Sequence, residues 1–237
     1  TDAGALIDSN ALFNSTLAGA YAVNASYDAV VNQTSITVTP NAIALIDLTP
    51  VDAQITAGAG QQYSATSYDA FGNVNSTPIT FSSNGSINAT SGLFNSTATG
   101  AYSVTATDAG TGVSNTTSVY VNAEVISVIL LTPVDSTTEA GVGVQFTASG
   151  FDGYGNSNDS GILFSSNGSI NASGFFNATV NGTYSITASD AGTGVSNSTA
   201  LLVTPNSNVG QVLIASSPVS LTAGLNQTFT ASVYDIW

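Results

Sequence analysis

Fifteen of the 22 asparagines in this chain stand two positions before a serine or threonine, with no proline between them. That triplet sets a side-chain amide beside a hydroxyl, the arrangement on which N-linked sugar is built in secreted proteins. The acceptors are Asn14, Asn24, Asn32, Asn75, Asn84, Asn88, Asn95, Asn115, Asn158, Asn167, Asn171, Asn177, Asn181, Asn197 and Asn226. Asparagine, serine, threonine and glycine also make turns on their own account. The triplets nevertheless recur at matched places along the chain and on outward positions of alternating runs, so covalent N-linked glycans are expected on them.

Other chemistry has few side chains to work with. The 237 residues include no Lys, Arg, His, Cys or Met, and 14 acidic residues set the formal net charge at −14. Imidazole acid–base catalysis, thiolate nucleophiles, lysine Schiff bases and arginine clamps on phosphate all fall away. Nucleic acid falls away as a partner too, because affinity for a phosphate backbone comes from cations that displace counterions. Three weak catalytic patterns are left. Asp159-Ser160-Gly161 spells an aspartic-protease tripeptide, but in a polar loop overlapping the acceptor at Asn158. Thr1 is a nucleophile with no activating base beyond its own amine. The only two glutamates, Glu124 and Glu139, fall at a junction and in an early loop, a poor frame for a glycosidase pair. The expected protein is therefore no enzyme and uses no cofactor.

Calcium is the one ion whose chemistry suits the composition, since it takes oxygen ligands. Asp69 and Asp152 open the loops "DAFGN" and "DGYGN", Asp108 and Asp190 open "DAGTG", and Asp47, Asp52, Glu124 and Asp135 fall near the places where repeats meet. The simpler reading makes each Asp the cap of a tight turn whose glycine supplies the backbone conformation. Calcium stays open beside it.

The frame that must position these residues is a repeat, which should be sought before any local structure. Residues 43–122 and 126–204 align almost without gaps, with a period of 83 residues from Pro50 to Pro133 and from Phe81 to Phe164. Residues 1–40 match only the second half of the unit, and residues 206–237 only the first. The expected layout is a closing half (1–40), repeat 1 (41–122), repeat 2 (123–205) and an opening half (206–237). Tyr102, Val104 and Ala106 alternate with Ser103, Thr105 and Thr107, and Tyr184, Ile186 and Ala188 repeat the pattern. A period of two puts one strand face in a core and the other in water. Asn84-Gly85 and Asn167-Gly168 read as two-residue hairpin turns. No helical period is sustained anywhere. About seven strands per repeat fit two packed antiparallel sheets, an all-β chain of tandem immunoglobulin-like β-sandwiches.

Two segments carry a resemblance: "EAGVGVQFTASGFDGYGN", whose counterpart in repeat 1 opens with "TAG", and the ending "GTYSITASDAGTGVS". With them the chain resembles the bacterial Ig-like, invasin-like repeats of prokaryotic cell-surface glycoproteins. That resemblance implies an extracellular sandwich used as a stalk, adhesin rod, surface-layer part or appendage. Tyr102 and Tyr184 sit where many sandwiches place a corner-locking tyrosine, and a plain core aromatic is the alternative.

The apolar run from Val125 to Leu131 is far shorter than the roughly 20 residues that span a bilayer, so no membrane span is expected. The expected location is extracellular, at the cell surface. The lack of any cation points to an acidophilic archaeal surface, where loss of negative charge leaves no positive self-repulsion; on that argument acid should preserve or raise stability down to pH 3. The expected partner is the chain itself, as a homopolymer in which the two half repeats complete one another head to tail in a filament, sheath or surface layer. The stalk of an adhesin is the alternative, and surface glycans or neighbouring cells are further partners to consider.

Overall fold

The computed structural model describes residues 5–215 and 220–237, and among them every regular element is a strand. No helix long and apolar enough to cross a membrane occurs among the described residues. The chain divides into two compact units, Thr1–Asn122 and Ala123–Trp237.

In the first unit a four-stranded sheet runs in the order Ile79–Ser83, Gly100–Asp108, Ser114–Asn122, Ala53–Thr56. The last pairing is parallel, Val119 opposite Ala53 and Val121 opposite Ile55. Facing it are the strands Ile43–Thr49, Ser64–Asp69 and Val74–Asn75, with a small third sheet of Ser86–Ile87, Leu93–Asn95 and Gly60–Gln62. Strand alternation decides the core. Val104 and Ala106 are fully buried, while Ser103 between them and Tyr102 faces water. Ile46, Leu48, Tyr63, Phe94 and Val119 complete the same cluster. Burying each large apolar side chain contributes roughly 1.5–3 kcal/mol, enough in sum to offset the ordering of short strands.

The second unit repeats this plan. Ser136–Glu139, Ser196–Thr204, Gly182–Asp190 and Ile162–Ser166 form its four-stranded sheet, again with one parallel pairing, and Val128–Thr132 pairs with Thr147–Phe151. Its core gathers Ile129, Leu131, Phe146, Phe176, Ile186 and Leu201. The all-β, immunoglobulin-like sandwich expected from the sequence is the fold observed.

The Asn-Gly pairs do not make hairpins. Ser83 ends a strand of the four-stranded sheet, and Ser86 begins a strand of the small sheet, so Asn84-Gly85 is a corner where the chain changes sheets. Glycine is needed there for space rather than for positive φ. A Cβ on Gly85 would lie 2.8 Å from the rings of Phe94 and Tyr102, and one on Gly168 2.8 Å from Phe176 and 2.7 Å from Tyr184.

The half repeats keep the register of the whole ones. Gly19–Tyr27 and Val30–Val38 pair Tyr21 with Ile36, as Tyr102 pairs with Val119 and Tyr184 with Leu201. At the other end Val209–Ala215 pairs with Thr230–Asp235. What differs is burial. Val212, Ile214 and Phe229 are 56, 63 and 57% exposed, whereas their counterparts Ile129, Leu131 and Phe146 are 3, 3 and 0% exposed. Among the described residues the opening half has strands at the counterparts of Ile43–Thr49 and Ser64–Asp69, and the closing half at those of Ser86–Ile87, Leu93–Asn95, Gly100–Asp108 and Ser114–Asn122.

Candidate functional site

The most organised polar site is the loop after the second long strand, with the pattern Asp-x-x-Gly-Asn-x-Asn at residues 69–75 and 152–158. Gly72 and Gly155 both adopt φ +85, open to solvent, and let the loop fold back on its aspartate. Asp69 Oδ1 accepts the N–H groups of Phe71 and Asn73, both at 2.9 Å. Its Oδ2 accepts Asn73 Nδ2 at 2.8 Å and the N–H of Asn41, in the incoming linker, at 2.9 Å. Asn75 Nδ2 then donates to the carbonyl of Asn41 at 2.9 Å, so both polar groups of one linker residue are gripped. Repeat 2 reproduces the arrangement. Asp152 accepts from Tyr154, Asn156 and, at 3.0 Å, the N–H of Glu124, and Asn158 Nδ2 donates to the Glu124 carbonyl at 2.8 Å. Asp235 holds the N–H of Asn206 at 2.9 Å in the opening half.

Asn73 reaches further. Its Oδ1 accepts the N–H of Ala18 and its Nδ2 donates to the carbonyl of Thr16, each at 2.8 Å, tying the closing half to repeat 1. In the first unit the loop is thus a clamp that ties the closing half and its linker to repeat 1.

Burial raises the carboxyl pKa of Asp69 and Asp152, but the Asn73 or Asn156 side chain and the three main-chain donors outweigh it and hold both at about 2. Four N–H donors on two oxygens are what a turn cap needs; a cation would require those lone pairs. Asp108 and Asp190 cap the "DAGTG" turns in the same way, through the N–H and hydroxyl of Thr111 and Thr193, and these bonds lower their pKa. Asp52 and Asp135 donate their N–H groups to Thr117 and Thr199, and Asp47 lies on the outer face of its strand. Among the described residues no group of three or more acidic side chains could hold a metal ion.

Tyrosine locks the corner in all three hairpins. Tyr21, Tyr102 and Tyr184 donate their hydroxyls to the carbonyls of Leu17, Ala98 and Val180, four residues upstream, at 2.7, 3.0 and 2.8 Å. Each ring also packs on Phe13, Phe94 or Phe176, with centroids 5.0–5.4 Å apart. The corner reading holds, and the tyrosine serves the core as well.

Of the fifteen glycan-acceptor asparagines, thirteen are exposed and the matched pair Asn75 and Asn158 is half-buried. Asp159 accepts the N–H of Gly150, which fixes "DSG" as a structural loop. Glu139 accepts Ser207, and Glu124 enters the clamp through its main chain. Thr1 lies outside the described residues. The sequence pointed to Asp69 and Asp152 but missed Asn41, Asn73, Asn75 and Asn158 as their partners. The signal was present in the recurrence of the second loop asparagine, hidden because Asn75 and Asn158 also read as sugar acceptors.

No protein-family model and no curated protein sequence matches this chain. Among solved structures it is similar to the Escherichia coli adhesin FdeC at 18% identity and TM-score 0.49, covering 79% of this chain and 74% of that one. It is similar to surface layer protein SbsC, domains 1–6, at 18% identity and TM-score 0.33, spanning 97% of this chain but only 38% of that one. Drosophila N-cadherin EC1-4 matches at 12% identity and TM-score 0.45, over 85% of this chain and 63% of that one. Likenesses this distant say nothing of function.

Proposed function

We propose that this chain is a non-enzymatic, N-glycosylated structural segment of a cell-surface filament, sheath or surface layer, with its half repeats completed head to tail by complementary halves of neighbouring copies. The observation that carries this reading is the matched difference in burial. Val212, Ile214 and Phe229 stand open at positions where both whole repeats bury an apolar side chain, and Ile36, the counterpart of Val119 and Leu201, is exposed as well. Exposed apolar faces on paired strands are surfaces that another sheet covers. A head-to-tail contact of this kind propagates without closing. An extracellular archaeal habitat fits the absence of cations, and glycans fit the exposed acceptors.

Negative-stain microscopy of native material tests the reading: ordered polymers are expected, and deleting residues 208–237 should leave soluble particles carrying the two whole sandwiches. Isolated rods in native material would point instead to a stalk. Polymers that survive the deletion would end the complementation scheme.

A further inference from the structure

Four pairs of repeat-matched acceptors divide into two kinds by what their amide groups touch. In Asn84 and Asn167 the Oδ1 accepts the N–H of Ser103 and Ser185, each at 2.8 Å. In Asn88 the Oδ1 accepts Thr90 and Ser91, and in Asn171 it accepts Ser173 and Phe175, all main-chain N–H groups at 2.8–3.0 Å. All four residues are exposed, and with the oxygen anchored on the protein the Nδ2 is the end of the amide presented to water.

The other two pairs are wired the opposite way. Asn75 and Asn158 spend Nδ2 on the linker carbonyls of Asn41 and Glu124. Asn115 and Asn197 spend it on the carbonyls of Ile46 and Ile129, at 2.9 and 2.8 Å. Those carbonyls lie on Ile43–Thr49 and Val128–Thr132, each the edge strand of its sheet. The two asparagines therefore cap edges that would otherwise invite another strand.

We propose that sugar is carried mainly at Asn84, Asn88, Asn167 and Asn171, whereas Asn75, Asn115, Asn158 and Asn197 are joints of the fold that take it up far less. The proposal rests on the reading of the chain as a glycoprotein. Transfer forms a bond from Nδ2 to the anomeric carbon of a sugar donor linked to a lipid phosphate. It breaks that carbon's bond to the phosphate oxygen, the phosphate leaves with the electron pair, and Nδ2 gives up one proton. The nitrogen must face the donor for this to happen. An Nδ2 already aimed at a main-chain carbonyl has to swing out first, and breaking one such hydrogen bond lowers the competent population by about tenfold.

Site-resolved glycopeptide mass spectrometry on native material decides it. Peptides must come from chymotrypsin or pepsin, because the chain has no Lys or Arg for trypsin. High occupancy at Asn84, Asn88, Asn167 and Asn171, with occupancy about tenfold lower at the other four, is the expected result. Equal occupancy across all eight overturns this inference and leaves the glycoprotein reading intact. No sugar at any site overturns both.

Discussion

Replacing Tyr63 with phenylalanine should make repeat 1 more stable. Tyr63 is 1% exposed, and its hydroxyl is buried without a hydrogen-bond partner. Burial, then the charge of Asp52, pushes its pKa above the usual tyrosine value, as befits a hydroxyl cut off from water. Repeat 2 performs the substitution already: Phe146 fills the same place, with its N–H on Gly174 as that of Tyr63 is on Gly92. A buried hydroxyl with no partner costs about 1–3 kcal/mol, and the dispersion lost with one oxygen is a few contacts at about 0.1–0.2 kcal/mol each. The net gain is about 1–2 kcal/mol, which for a domain of this size raises its melting temperature by roughly 5–15 °C. Differential scanning calorimetry at pH 7 reads this directly. The two cores share no residue, so the transition of repeat 2 should stay in place while that of repeat 1 moves up. The reverse change, Phe146→Tyr, should lower the repeat 2 transition by a similar amount. If Tyr63→Phe lowers the melting temperature or leaves it unmoved, the hydroxyl is not the burden its surroundings imply.

Acid should weaken the fold, against the sequence-based expectation. Asp69 and Asp152 have folded pKa values near 2, below the ordinary 3.8, so their stabilisation is present above about pH 4 and is lost as pH falls towards 2; a melting temperature that holds or rises over that range would contradict the clamp. Tyr184→Phe should cost about 1 kcal/mol in calorimetry by removing the bond to the Val180 carbonyl, with the ring still packed on Phe176. Gly174→Ala should cost about 1–3 kcal/mol or more in urea titrations, because φ is +83 and the new Cβ would sit 2.4 Å from the Phe146 carbonyl oxygen. A chelator should leave the melting temperature unchanged, since N–H donors occupy the oxygens of both clamp aspartates; a drop of several degrees would restore calcium to the site.

Strand alternation made most of the sandwich legible. The period of two in "YSVTA" and "YSITA" fixes which residues are buried whatever the partner strand, and the repeat says it twice. The Asn-Gly corners were misread because a turn dipeptide reports local backbone tolerance, while the choice between hairpin and sheet change is made by Phe94 and Tyr102 crowding Gly85. The two expectations for acid differ for a related reason. Net charge counts carboxylates as equal, but Asp69 is surrounded by four donors that want it ionised. The clamp itself joins Asn41 to Asn75 across 34 positions, and no local pattern announces such a pairing.

The parallel pairing of Ala53–Thr56 with the end of Ser114–Asn122 bears on how a repeat would carry load. Tension applied at Ala53 and at Asn122 in opposite senses drives the two strands past one another along their length. The bonds from Val119 to Asn122 are then strained together rather than opened one by one from an end. Ser136–Glu139 and Ser196–Thr204 meet pulling in the same geometry. A sheet with an antiparallel hairpin at this place would unzip under far smaller force, so the topology turns each sandwich into a link that resists extension while remaining free to melt by heat.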